Sequence, residues 1–150
     1  MTASTDPHNL HRFVEAQDPV IDTVKKELRS GRKRTHWMWF VFPQIAGLGR
    51  SQMSQRYAID SRAEAEAYLE QPVLGPRLRE CTEIVNGLDG RSANDVFGSP
   101  DDLKFRSSMT LFDAVAADPA PFRTALQRYY DGDPDRETLR LLDEAGETPR

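Results

Sequence analysis

The sequence predicts an all-α fold, a compact single-domain bundle of about seven to nine short helices. Three observations predict it. Ala and Leu together number 27 against 12 for Val plus Ile, a balance that favours helix over strand. The pairs Asp6-Pro7, Asp18-Pro19, Ser99-Pro100 and Asp118-Pro119 each set a capping acceptor before a proline, whose missing N–H costs nothing in a first helical turn. Gly31, Gly90, Gly98, Gly132 and Gly146 follow periodic segments, as where a chain leaves a helix through a left-handed residue.

Taken in order, Asp6-Pro7 opens a helix over about 7–17, and Asp18-Pro19 opens the next, over 19–30, which Gly31 stops. The run Trp37-Met38-Trp39-Phe40-Val41-Phe42 resembles a strand, but no second β-rich run exists to pair its backbone. Segment 36–42 therefore reads as a buried helix ended by Pro43. Ser51 starts 51–58, and Ser61 with Glu64 forms a capping box for 62–70. Helices over 73–88, 100–117, 119–130 and 135–145 follow, with a short turn near 93–97. No repeat or Gly/Ser-rich linker divides the chain, so 1–150 is read as one domain with loose ends at about 1–5 and 146–150.

A chain of 150 residues buries enough surface to fold without a disulfide or metal staple. Cys81 is its lone cysteine, no apolar run approaches the 18 residues of a membrane span, and the N-terminus lacks the apolar stretch of a secretory signal. These features predict a cytoplasmic protein with no membrane partner. Residues 1–60 carry a net charge of +3 and residues 61–150 a net of −7. Six basic residues (Lys25, Lys26, Arg29, Arg32, Lys33 and Arg34) lie within one ten-residue stretch. With a pI near 5.4, no nucleic-acid partner is expected, since that footprint usually dominates a whole domain. A short anion site remains compatible. His8, His11 and His36 show no ligand spacing with Cys or carboxylates, so neither metal nor cofactor is expected.

Three constellations carry chemistry. In 33–44, Trp37 and Trp39 offer flat faces for stacking, while Arg34, His36 and Gln44 bring polar handles. The loop Ala46-Gly47-Leu48-Gly49-Arg50-Ser51 offers backbone N–H groups to an anion with Arg50 beside them; the plainer reading is a tight turn with Ser51 as N-cap. On the helix from 100, Lys104 and Ser108 fall inside the apolar arc of Phe105, Met109, Leu111, Phe112 and Val115. A lysine there needs a partner, and Asp101 or Asp102 is expected within salt-bridge distance. These residues predict a pocket with an aromatic roof and a polar floor. Its candidate catalytic groups are His36, Asp101, Asp102 and Lys104. Its candidate ligand-binding groups are Arg34, Trp37, Trp39, Gln44, Arg50, Ser51, Ser107 and Ser108. The expected ligand is a small anionic or nucleotide-like molecule, with metal-independent hydrolytic or glycosidic cleavage as the enzymatic version. The alternative is a protein-interaction module using segment 36–44 or the basic stretch 25–34.

The stretches DPHNLHRFVEAQ, RKRTHWMWFVFPQIAGLGRS, AEAEAYLEQPVLGPRLREC and VFGSPDDLKFRSSMTLF together resemble the bacterial family catalogued as domain of unknown function 1810, from about Asp6 to Leu142. The resemblance implies a compact, all-helical, single-domain protein and no established activity. Some members of that family carry the label calpastatin, but nothing in this chain looks like a disordered, Pro-rich protease inhibitor.

Overall fold

The computed structural model describes residues 6–146. Ten helices follow one another: α1 (His11–Gln17), α2 (Ile21–Ser30), α3 (Met38–Val41), α4 (Gln52–Arg56), α5 (Arg62–Glu70), α6 (Leu74–Asn86), α7 (Ala93–Phe97), α8 (Asp101–Val115), α9 (Ala120–Tyr130) and α10 (Arg136–Gly146). Seven have at least seven residues, so the all-α expectation holds. The ends expected to be loose, 1–5 and 146–150, lie outside the described residues apart from Gly146, the last residue of α10.

The proline signals mark the turn before each helix and not its first residue. Asp6 reaches forward instead, its carboxylate accepting the N–H groups of Leu10 at 2.7 Å and His11 at 2.9 Å. Ser99 caps nothing, because its hydroxyl accepts from the Asn94 amide at 3.0 Å. The expected turn near 93–97 is the full helix α7, with a reciprocal capping box between Ser92 and Asp95. Conversely 36–42 contracts to α3, and 51–58 to α4 with the Ser51 hydroxyl on the Ser54 N–H at 3.1 Å.

α8 is the central helix, packed by α5, α7, α9 and α10, while α6 packs against α2, α5 and α9. Aromatic rings form the core's spine. Phe97 stacks on Phe105 at 4.6 Å, and Phe42 meets Phe105 edge-on at 5.0 Å. On the other side Phe13, Tyr68, Phe112 and Phe122 continue from α1 to α9. The Gln17 amide, buried among them, donates to the Phe40 carbonyl at 2.6 Å and to the Tyr68 hydroxyl at 3.1 Å. No strand occurs among the described residues. One parallel bridge, Ile45 to Ile59, closes through Ala46 N–H to Ile59 O and Ile59 N–H to Gln44 O, both 2.8 Å.

Gly75 governs how closely α6 approaches α5. A Cβ there would stand 2.1 Å from the Leu69 carbonyl oxygen, which is backbone and cannot step aside. Helix propensity alone favours Ala over Gly by about 1 kcal/mol. The overlap reverses the sign, so Gly75→Ala should destabilise by about 1–3 kcal/mol. Urea unfolding reads it directly, and a stabilised variant would refute the close approach.

Candidate functional site

The site is assembled from the N-terminal turn. With Asn9 left-handed at φ 53 and Asp6 holding the start of α1, the chain lays His8 and Arg12 against the segment following α4. All five N–H donors of Arg12 are engaged. Nε donates to Arg56 O at 2.9 Å. Nη1 donates to His8 O at 2.9 Å and Asn9 O at 2.8 Å, and Nη2 to Ala58 O at 2.8 Å and the Glu64 carboxylate at 2.9 Å. The other Glu64 oxygen accepts the Asp60 N–H at 2.8 Å. Ser61 caps α5 as expected through the Glu64 N–H at 3.1 Å, but the Glu64 side chain serves Arg12 and Asp60 and leaves the expected box half-made. The Glu64 side chain is only 4% exposed, and that depth makes the paired arginine necessary.

Around this knot lies a cavity of about 330 Å³. Its walls are His8 and Arg12, Trp39 from α3, the stretch from Gln44 to Gly47 with Gly49, Ser54 and Gln55 of α4, and Tyr57, Ala58, Asp60 and Glu64. Arg12 and Glu64 satisfy each other. The chemistry left over is the His8 imidazole, the Gln44 amide and the Asp60 carboxylate, none of which has a side-chain partner among the described residues. The N–H groups of Gly47 and Gly49 likewise meet no acceptor among the described residues. Gly47 has φ 106, a left-handed conformation suited to glycine. The cavity walls therefore carry the Trp39 ring, an imidazole and a carboxylate without side-chain partners among the described residues, and two glycines whose N–H groups are unengaged there.

Of the residues singled out in the sequence, Trp39 and Gln44 line this cavity. Arg50 and Ser51 flank it; Arg50 is exposed, and Ser51 is engaged as the α4 cap. Arg34 and His36 are exposed outside it, and Trp37 is 1% exposed with its indole N–H on Glu27 at 2.9 Å. The expected pair exists: the Lys104 ammonium lies 3.6 Å from Asp101, whose other oxygen is 3.0 Å from Lys33. Lys104 also sits over the Trp39 ring at 5.6 Å. The aromatic segment and the lysine thus pack directly on each other, with no roof and floor facing across a pocket. Asp102 accepts the Leu103 N–H and the Asn94 amide. Ser107 bonds Leu103 O and Asp135, tying α8 to the start of α10. The Ser108 hydroxyl is buried without a partner among the described residues. Within segment 36–44 only Trp39 among the large apolar side chains is more than marginally accessible, which leaves the interaction-module reading little apolar surface there. His8, Arg12, Asp60 and Glu64 escaped sequence reasoning, because two lie near an end and the others sit beside a helix cap.

Inside the basic stretch, Glu27 is buried and binds the next loop. Its carboxylate accepts from Arg34 N–H at 2.8 Å, Thr35 N–H at 3.1 Å, Thr35 hydroxyl at 2.7 Å and Trp37 at 2.9 Å. Burial pushes its pKa upward, but the four donors outweigh burial and hold it below the ordinary 4.5. Cys81 has no such donors, and burial pushes its thiol up to about 12. Because the folded-state pKa of Glu27 is depressed, its contribution to stability is present above about pH 4.5 and lost as pH falls below it. Glu27→Gln should cost about 1–3 kcal/mol at neutral pH. It should also flatten the loss of Tm on acidification; a parallel pair of Tm-versus-pH curves would show the carboxylate charge to be immaterial.

Comparison with known proteins places this architecture. A family profile described as "Protein of unknown function (DUF1810)" matches residues 7–142. A crystal structure of a conserved hypothetical protein from Mycobacterium tuberculosis is similar at 55% identity and a TM-score of 0.91, over 92% of this chain and 99% of that one. A search of the curated proteins gave no match.

Proposed function

We propose that this chain, which belongs to the DUF1810 family of proteins of unknown function, binds a small nucleoside- or nucleotide-like molecule in the cavity beside Trp39. The observation that supports this most directly is the partly accessible Trp39 indole on the wall of a polar cavity whose framework charges already satisfy each other. A flat ring stacks on the indole. The Asp60 carboxylate accepts from hydroxyl groups, as carboxylates do at ribose diols. An anionic end lies against the free N–H groups of Gly47 and Gly49, with Arg50 alongside. About 330 Å³ suits a nucleoside and falls at the small end of ligand pockets.

Any turnover in this cavity falls to His8 and Asp60, the wall groups able to take or give a proton without breaking the Arg12–Glu64 knot. That assignment supports the hydrolytic version with residues other than His36, Asp101, Asp102 and Lys104. Among the described residues no helix is long and apolar enough to cross a membrane. The buried thiol of Cys81 fits a cytoplasmic setting.

Thermal unfolding against a panel of nucleosides and their 5′-phosphates tests the reading. A ligand at a hundred times its Kd adds about 2.7 kcal/mol, a rise of roughly 5–10 °C in a chain of this length. Trp39→Leu should abolish the rise and Asp60→Asn should reduce it. A panel without effect, or a rise that Trp39→Leu leaves intact, refutes the cavity as a nucleoside site.

A further inference from the structure

A second concavity, of about 500 Å³, lies between the end of α2 and α7 and brings together Arg32, Lys33 and Arg91. We propose that it is a separate binding site for a phosphoryl dianion, as free pyrophosphate or as the phosphate end of a small metabolite. The placement of Arg91 is built into the backbone. Gly31 closes α2 at φ 82, and a Cβ on it would stand 2.6 Å from Arg91 Nε. The bare glycine therefore lets the Arg91 side chain lie flat against the helix end, where Nη1 donates to the Gly31 carbonyl at 3.4 Å. One N–H is used and the rest of the fork remains available.

Arg32 brings a second guanidinium, which has no acceptor among the described residues. Lys33 forms the base of the cleft, its side chain 8% exposed and held by Asp101 at 3.0 Å. The acidic groups nearby are already engaged: Asp101 is shared by Lys33 and Lys104, Glu27 is buried on the 34–37 loop, and Asp95, which lines the cleft, accepts the Ser92 N–H at 2.9 Å. Two arginine side chains thus line one concavity of a protein whose net charge is −4; among the described residues neither forms a salt bridge, and the Asp95 carboxylate, already bonded to Ser92, lies within electrostatic reach of Arg91. Such forks match the paired oxygens of phosphate. A single long-chain polyanion is disfavoured, since the rest of the chain is acidic.

Isothermal titration with inorganic pyrophosphate, at an ionic strength held at about 0.15 M with chloride, tests the site. Saturable binding is expected. Arg32→Gln and Arg91→Gln should each weaken it about tenfold or more, the scale of one charge-assisted fork, while Trp39→Leu should leave it unchanged. Arg91 packs on Gly31 and its loss can disturb α2; Arg32 has no such contact, so the Arg32→Gln result decides. No saturable binding, or wild-type affinity in Arg32→Gln, overturns the proposal. So does a short single-stranded oligonucleotide that binds more tightly than pyrophosphate at equal phosphate concentration, since that would make the cleft part of a polyanion surface.

Discussion

Arg12 holds together three stretches of chain: the turn at His8 and Asn9, the segment from Arg56 to Ala58, and the start of α5 through Glu64. Four of its five bonds go to backbone carbonyls, so it fixes the path of the chain more than it fixes other side chains. A lysine, with three donors on a point charge, has no geometry that reproduces this. Glu27 does the complementary work on the opposite kind of group, collecting four donors from the 34–37 loop onto one carboxylate. Glu27 is buried and Arg12 half-buried because each is saturated, and each orders a loop that hydrophobic packing alone leaves undetermined.

The helices were legible in the sequence because their signals are local. Proline and glycine punctuation, Ser51 and Ser61 as caps, and the Lys104–Asp101 pair all depend on residues within four positions of one another. The cavity was not legible, because its walls meet through contacts such as Arg12 to Ala58 and Arg12 to Glu64, 46 and 52 residues apart. The two tryptophans show the limit most plainly. Trp37 and Trp39 are two residues apart in the same aromatic run, yet one is sealed against Glu27 and the other faces the cavity. No periodicity separates them, since the short α3 begins between them at Met38. Glu27 was similarly hidden, one acid within a basic run whose neighbours announce a solvated surface.

The cavity and the cleft approach each other through one carboxylate. Asp101 holds Lys33, which lines the cleft, and Lys104, which covers the ring of Trp39 on the cavity wall. Two cations share one anion there, and cation–π contacts with Trp37 and Trp39 take up part of the excess charge. The basic stretch and the aromatic run, adjacent in sequence, are thereby joined through the first turn of α8.

The bridge between Ile45 and Ile59 has a dynamic consequence. It closes the base of a small lobe made of the glycine loop and α4, a helix without a single buried residue. Leu48 and Met53 rest part-buried on the core, Gly47 faces Leu141, and Tyr57, the residue that ends α4, anchors the lobe on Phe13 and Phe40. Lifting that lobe breaks the two backbone hydrogen bonds of the bridge and the Arg12 bond to Arg56 O, whereas unfolding α8 dismantles the aromatic spine. Local opening of one cavity wall is therefore set by a much smaller free energy than global unfolding, and the two can change independently of each other.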